Sequence, residues 1–257
     1  MSRPSTISYS REQGVAILEF DADHEMNPFS QPRMRELLDL IEAVEDDDTL
    51  GAIVLYGGDG RSFAAGGDFK ETSEFSTDGH VDSWIDHITD LYTGLLRGRK
   101  PIIAAVDGFC IGLGLQIALC ADMRIGSTES TWIMPELKLG IACTFGGYML
   151  ETVVGRSVMQ AMVFTSEPWS AQRALSDGLV HELHPSDDVR SIAVARAAAL
   201  ASWTTAAVQS TRPQVNEGFV DGLEHCRQRG KTAHRAAFGA GEAQVRMKAV
   251  LNGSKER

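Results

Sequence analysis

The chain has 257 residues, 43% of them hydrophobic and 23% charged, the profile of a soluble globular protein long enough to bury a large core. A formal net charge of −11 argues against nucleic acid and anionic membrane surfaces as partners, since both select basic patches, but it allows an anionic small molecule held by a local basic cluster. Cys110, Cys120, Cys143 and Cys226 show no CxxC or metal-ligand spacing, Met1 to Thr6 carries no apolar signal segment, and no apolar run reaches membrane-span length. The expectation is a cytoplasmic, metal-independent protein with buried free thiols.

Ile7 to Phe20 reads as two short strands about Gln13-Gly14, followed by a polar loop from Asp23 to Pro28. Ser30 stands as an N-cap ahead of Gln31-Pro32, and Met34, Leu37, Leu38, Ile41 and Val44 keep the i, i+3, i+4 spacing of a helix. The acidic run Glu45 to Asp48 reads as a solvated turn. Ala52 to Tyr56 is an apolar strand, and Gly57-Gly58-Asp59-Gly60 is a turn. Trp84, Ile85, Ile88, Leu91 and Leu95 mark a core-facing helix over 81–96. Ile102 to Val106 is a second apolar strand, after which residues 107–114 turn into an apolar helix over 115–121.

Thr131 to Met134 is strand-like and runs into Pro135-Glu136. Helices follow over 146–154 and 158–164 and from Ser170, and Gly178 to Leu183 reads as a short edge strand. Strand, turn and helix alternate from about residue 50 to 180, which predicts a mostly parallel α/β arrangement. From Val189 onward the pattern is helical: an Ala-rich helix to Ser202, then helices on either side of Gly218 and Gly239. The predicted division is therefore a core over 1–190 and a helical region over 191–257, with no internal repeat standing out.

Two Gly-rich turns, Gly66-Gly67-Asp68 and Gly112-Leu113-Gly114, each precede a helical pattern and so offer backbone N–H groups at helix starts. A dinucleotide fingerprint would need a third glycine where Ile117 stands. Two donors meeting over one carbonyl oxygen, an oxyanion hole, fit the pattern better. Downstream of both turns comes Glu136, between Met134 and Leu137, where burial would raise its pKa into the general acid/base range. Cys143 has no histidine-partner signature and is not read as a nucleophile.

Phe63-Ala64-Ala65-Gly66-Gly67-Asp68, Ala105-Val106-Asp107-Gly108, Gly112-Leu113-Gly114 and Met134-Pro135-Glu136-Leu137-Lys138-Leu139-Gly140 together resemble the crotonase (enoyl-CoA hydratase/isomerase) superfamily over essentially the whole chain. That resemblance implies an α/β fold, a spiral ββα core with a C-terminal helical trimerisation region, and a CoA thioester substrate. It maps the oxyanion hole onto the N–H groups of Gly67 and Leu113. Hydratases of the family carry two glutamates, one on the helix after the second turn and one at the position of Glu136. Here the first position holds Gln116, an amide that cannot exchange protons, so simple hydration is demoted.

Within the superfamily the chain more closely resembles the carboxymethylproline synthases of carbapenem antibiotic biosynthesis. The matching stretches are Asn27-Pro28-Phe29-Ser30, Tyr56-Gly57-Gly58, Ala65 to Phe69, Trp84-Ile85-Asp86, Asp90-Leu91-Tyr92, Met134 to Lys138, and His234 to Phe238. The resemblance implies malonyl-CoA as substrate, decarboxylated to an enolate that attacks pyrroline-5-carboxylate, and CoA as product after thioester hydrolysis, with no permanently bound cofactor. It assigns Glu136 to the hydrolytic step, Gln116 to orienting the malonyl or acyl group, and Trp84 and His234 to the pocket for the amino-acid partner.

The same resemblance sets CoA against Met26, Ala64 and Ala65, with Gly66, Asp68 and Phe69 in the substrate-contacting turn. Arg61, Lys70, Arg97, Arg99, Lys100, Arg246 and Lys248 are candidates for its phosphates. A homotrimer or a dimer of trimers is implied, with no nucleic acid or membrane partner. A one-carboxylate enoyl-CoA isomerase, an acyl-CoA hydrolase and a non-catalytic acyl-CoA-binding protein remain as alternatives.

Overall fold

Gln13 and Gly14 both sit at positive φ, 52° and 76°, the left-handed pair that a tight hairpin turn requires. They join strand β1 (Thr6–Glu12) to β2 (Val15–Asp21) in antiparallel register. The computed structural model describes residues 6–22, 24–203 and 206–253; Asp23 of the expected polar loop and Met1 to Ser5 lie outside them. Helix α1 (Gln31–Glu45) buries Met34, Leu37, Leu38, Ile41 and Val44, the stripe read from the sequence. Ser30 is at its N-cap but makes no side-chain cap bond; Glu71 accepts from the Gln31 N–H at 3.0 Å instead.

The chain continues through β3 (Ala52–Tyr56), α2 (Phe69–Thr72), α3 (Asp78–Arg97), β4 (Ile102–Val106), β5 (Phe109–Ile111) and α4 (Leu113–Leu119). After β6 (Met123–Ser127) and β7 (Thr131–Ile133) comes a single 3-10 turn, Glu136–Leu139. Then follow α5 (Thr144–Val154), α6 (Arg156–Thr165), β8 (Trp169–Ser170), α7 (Ala171–Ser176), β9 (Glu182–His184), α8 (Ser186–Ser202), α9 (Ala206–Gly239) and α10 (Glu242–Gly253). A six-stranded sheet runs β1-β2-β3-β4-β6-β9 and is parallel from β2 onward. A smaller sheet runs β5-β7-β8, with β5 and β7 parallel.

Ala64 extends the small sheet by pairing in parallel with Cys110 of β5. Three units therefore succeed one another: β3, Ala64 and α2; β4, β5 and α4; β6, β7 and the 3-10 turn. Each takes a strand in the large sheet, a short piece in the small one, then a helical turn. This is the ββα core that the resemblance implies. The repeat is invisible in the sequence because its small-sheet pieces span three residues at most, too few for a period-2 signal.

Every side chain of β3 and β4 is buried, since helices cover both faces of the large sheet, and that explains their unbroken apolar runs. On one face α8 packs Val189, Ala193, Val194 and Ala197 against Val15, Ile17, Val54, Ile103 and Ile125. The opposite face meets α1, α3 and α4. The predicted boundary at residue 190 thus cuts through a helix that belongs to the sheet layer, and the helices that leave the sheet begin at Ala206.

Several local expectations shift. Residues 109–111, read as turn, are strand β5, and the helix after them starts at Leu113 rather than Leu115. Strand β6 was not foreseen, because Arg124 interrupts its apolar pattern. The guanidinium is buried all the same, donating to the carbonyls of Leu179 at 2.7 Å and Ala121 at 2.9 Å. The expected break at Gly218 does not occur; α9 runs through it, since one glycine in a helix costs only about 1 kcal/mol and packing against α3 outweighs that.

Helix α9 lies antiparallel on α3 with matched charges four residues apart. Arg227 meets Asp90 at 2.7 Å, Lys231 meets Asp86 at 2.7 Å, and Arg235 meets Asp82. Half-buried pairs of this kind fix which faces of the two helices meet. A Cβ at Gly222 would lie 1.9 Å from the Tyr148 hydroxyl, so α9 also lies tight on α5. Helix α10 then returns over the 3-10 turn, with Gly140 against the Ala243 backbone and the Thr72 hydroxyl 3.3 Å from the Met247 sulfur. No single helix among the described residues is long and apolar enough to cross a membrane.

Candidate active site

Stacking three ββα units in parallel brings their post-strand turns to the same end: Gly66-Gly67, Gly112-Leu113 and Pro135-Glu136. Hydrogen bonds tie them together. The Ala64 carbonyl accepts from Ile111 N–H at 2.9 Å, and Gly112 N–H donates to Ile133 at 2.9 Å. Gly114 makes the close approach possible, because a Cβ there would stand 2.2 Å from the Ala64 carbonyl oxygen.

Both expected oxyanion donors follow a glycine with positive φ. Gly66 has φ 94° and precedes Gly67; Gly112 has φ 54° and precedes Leu113. Among the described residues neither the Gly67 nor the Leu113 N–H has a hydrogen-bond acceptor, and both residues line one cavity. Leu113 opens α4, where the first N–H groups lack intrahelical partners.

Glu136 enters the same cavity from the 3-10 turn and is only 9% exposed. Its Oε1 accepts from Gln116 Nε2 at 2.8 Å, while Oε2 has no partner among the described residues. Gln116 Oε1 in turn accepts from the Tyr92 hydroxyl at 2.8 Å. The cavity holds about 60 Å³, and the burial of Glu136 in its wall keeps most solvent from the carboxylate. Burial pushes the Glu136 pKa up to about 7, partly offset by hydrogen bonds from its own backbone N–H and from Gln116. A single carboxyl poised near neutrality beside free N–H donors can move a proton while charge develops on a neighbouring oxygen.

Trp84, His234, Ala65, Gly66 and Phe69 also line the cavity. Trp84 and His234 meet edge to face, with ring centroids 5.6 Å apart. His234 is buried, its Nδ1 2.8 Å from the Gly230 carbonyl, and burial lowers its pKa below the usual imidazole value. Trp84 Nε1 is a buried donor without a partner among the described residues. With Glu136 Oε2, it leaves one donor and one acceptor for a ligand.

Met26, Ala64 and Asp68 do not line this cavity. The Met26 carbonyl accepts from Ala65 N–H at 2.8 Å, Ala64 pairs with β5, and Asp68 caps α2 by accepting from Lys70 N–H at 2.8 Å. Most of the proposed phosphate-binding cations are engaged elsewhere. Arg97 pairs with Glu224 at 3.1 Å, Arg99 with Glu45 at 3.5 Å and Lys248 with Glu74 at 2.9 Å. Lys100 is buried against the carbonyls of Val44 and Asp47, and Arg61 donates to those of Ala22 and His24.

Sequence reasoning missed Tyr92 and Met247. Tyr92 had one legible signal, a hydroxyl on the buried stripe of a helix, which demands a partner. Met247 had none, since only the return of α10 brings it to the site.

The sequence profile of the enoyl-CoA hydratase/isomerase family matches residues 10–252. The chain belongs to that family. Carboxymethylproline synthase of Pectobacterium carotovorum subsp. carotovorum is 38% identical over 237 residues, 92% of this chain and 95% of that protein. Short-chain-enoyl-CoA hydratase of Clostridium acetobutylicum is 30% identical over 217 residues, 84% of this chain and 82% of that one. Among solved structures, ThnE from S. clavuligerus aligns with a TM-score of 0.79 at 46% identity, covering 89% of this chain and 100% of the other. An enoyl-CoA hydratase/isomerase from Mycobacterium paratuberculosis shares the fold at a TM-score of 0.87 and 24% identity, covering 97% of this chain and 100% of that one. As an enzyme of the enoyl-CoA hydratase/isomerase family, the chain has, among the described residues, one carboxylate in its cavity, with an amide hydrogen-bonded to it.

Proposed function

We propose that this enzyme is a carboxymethylproline synthase. Malonyl-CoA loses CO₂, and the electron pair of the broken C–C bond moves into the thioester as an enolate. The Gly67 and Leu113 N–H groups hold the enolate oxygen. The enolate carbon attacks the C=N carbon of pyrroline-5-carboxylate, whose nitrogen takes up a proton. Glu136 then draws a proton from the water that attacks the thioester carbon, or attacks that carbon itself as a carboxylate to form an anhydride that water opens. The C–S bond breaks, the CoA thiolate takes up a proton, and carboxymethylproline and CoA are released.

One observation carries this reading: the sole carboxylate lining the cavity among the described residues accepts from Gln116 at 2.8 Å, so the group beside it is a neutral donor. Decarboxylation needs charge stabilisation rather than a base, because departure of CO₂ itself leaves the carbanion. A second carboxylate there would repel the malonyl carboxylate. The 38% identity to the Pectobacterium synthase supports the same choice. Trp84 and His234 form the wall for the amino-acid partner, and Trp84 Nε1 is free to donate to it. The functional unit is a homotrimer or a dimer of trimers. A reducing cytoplasm suits its four free cysteines.

Incubation with malonyl-CoA and pyrroline-5-carboxylate, followed by mass spectrometry, tests the proposal. Carboxymethylproline with free CoA is expected, and its absence rejects the reading. A second reading, a one-carboxylate enoyl-CoA isomerase, draws on the pKa of Glu136 near 7, suited to carrying a proton between two carbons. Isomerised enoyl-CoA in the same assay would favour it, and simple thioester cleavage would favour an acyl-CoA hydrolase. Binding without turnover would mark a non-catalytic protein.

A further inference from the structure

Gln116 has two ends of similar shape and opposite hydrogen-bonding character. Turning its amide by half a turn exchanges the donor that faces Glu136 for an acceptor. An acceptor there would oppose an ionised carboxylate and accept only from a protonated one. Which end faces Glu136 therefore decides which protonation state the site favours.

The neighbour on the other side of the amide is Tyr92, from the buried face of α3. Its ring is fully buried and meets Phe145 edge to face, with centroids 6.1 Å apart. Its hydroxyl donates to Gln116 Oε1 at 2.8 Å and, among the described residues, makes no other hydrogen bond. Turning the amide over would aim an N–H at the phenol oxygen and leave the phenol proton buried without an acceptor. An orphaned buried donor is among the more expensive defects in a protein interior. Burial also raises the Tyr92 pKa well above that of a free phenol, so the hydroxyl keeps its proton across the working pH range.

We infer that Tyr92 is a positioning residue: its hydroxyl locks the Gln116 amide with Nε2 toward Glu136 and so favours the ionised form of that carboxyl. Two donors then act in series, Tyr92 on Gln116 and Gln116 on Glu136, against the desolvation that favours the neutral acid. The other groups facing the carboxyl do not supply a compensating charge. Cys143, at the head of α5, is held as a neutral thiol by burial and by Glu136 itself. On α9, His234 is turned to the Gly230 carbonyl and is pushed toward neutrality by burial. Lys138, in the same 3-10 turn as Glu136, is exposed.

The consequence for catalysis rests on the proposed role of Glu136, but the polarity of the amide belongs to the free protein and can be read without turnover. Infrared difference titration follows the Glu136 carboxyl band, identified by its loss in Glu136→Gln. In the wild type the midpoint is expected near 7. In Tyr92→Phe it should rise by about one pH unit, the equivalent of one hydrogen bond to a charged group. Gln116→Met removes the amide and should raise the midpoint at least as far; adding Tyr92→Phe to it should then change nothing further.

The acid limb of CoA release should move with the band in Tyr92→Phe, while KM for malonyl-CoA stays put. An unmoved midpoint in a folded Tyr92→Phe protein overturns the inference. Should that variant fail to fold, an unmoved midpoint in Gln116→Met does the same. If the wild type forms no carboxymethylproline, the proposed function fails while the titration still decides the polarity.

Discussion

Gln116 Nε2 donates to Glu136 Oε1 at 2.8 Å, so the residue standing where a hydratase of the family keeps its second glutamate is the donor that holds the first. One carboxylate remains to exchange protons, its ionised form supported by its own backbone N–H and by Gln116, while Oε2 has no partner among the described residues. Under the proposed function, that buried, unpartnered oxygen acts on the water or the acyl carbon.

Removing the carboxylate should separate the two halves of the reaction. Glu136→Ala is expected to leave decarboxylation and C–C bond formation within a few-fold of wild type and to slow thioester release by about 10²–10⁴, the usual contribution of a positioned general base. Mass spectrometry of quenched reactions should then find the carboxymethylprolyl thioester of CoA accumulating. An unchanged yield of free acid would refute the assigned role.

A raised carboxyl pKa has two consequences of known sign. CoA release should fall as pH drops through about 7, where Glu136 takes up its proton. Stability should move the opposite way. The folded-state pKa lies above that of the unfolded chain, so the folded protein binds more protons between the two values and its stability drops as pH rises through about 7. The penalty above that pH is on the order of 3 kcal/mol for a shift of this size. Glu136→Gln should therefore melt higher than wild type at pH 8 and close to it at pH 5; equal melting temperatures at pH 8 would contradict the burial argument.

Gln116→Glu would bring a second carboxylate within hydrogen-bond distance of the first. The two cannot both ionise at close range, so the pair should titrate with one pKa well above that of the wild-type site. Above the higher of the pair's two pKa values the site carries one charge more than the wild-type site, so KM for malonyl-CoA should rise there on the order of tenfold, as one like charge at contact distance is worth about 1 kcal/mol or more. Steady-state kinetics against pH read both effects. A KM unchanged from wild type would show that the amide's neutrality is not what admits the malonyl group.

Gly114→Ala tests the packing that joins the first two turns. Its methyl would meet the Ala64 carbonyl oxygen at 2.2 Å, so α4 or the 64–67 turn must move. Destabilisation of about 1–3 kcal/mol is expected, read as a Tm lower by about 3–10 °C. Since α4 carries the Leu113 N–H, kcat should also fall by about 10². A variant with native Tm and native kcat would mean that the turns tolerate separation.

Much of the fold was legible in the residues. The stripe from Met34 to Val44, the buried runs of β3 and β4, and the spacing from Trp84 to Leu95 are period signals strong enough to survive without an alignment. Gly66, Gly67, Gly112 and Gly114 marked the turns, because the positive φ of two of them and the close approach of Gly114 need glycine locally. Less visible were elements defined by pairing alone. Strand β5 is three residues amid glycines, and β6 hides behind a buried arginine satisfied by distant carbonyls.

What the sequence determined by itself is the chemical inventory: two glycine turns, one carboxylate after a proline, and a glutamine where a carboxylate could stand. Such features are local, written in side-chain type and backbone freedom. The tertiary structure decided which of them meet. Parallel stacking of three ββα units set the turns side by side, and the return of α9 and α10 brought His234 and Met247 to the same cavity. Only in that buried setting does Glu136 titrate near 7, and only there does the Tyr92 hydroxyl reach Gln116. Desolvation and hydrogen-bond polarity depend on what surrounds a group from every side, and for these residues the surroundings include His234 and Met247 from the far C-terminal helices.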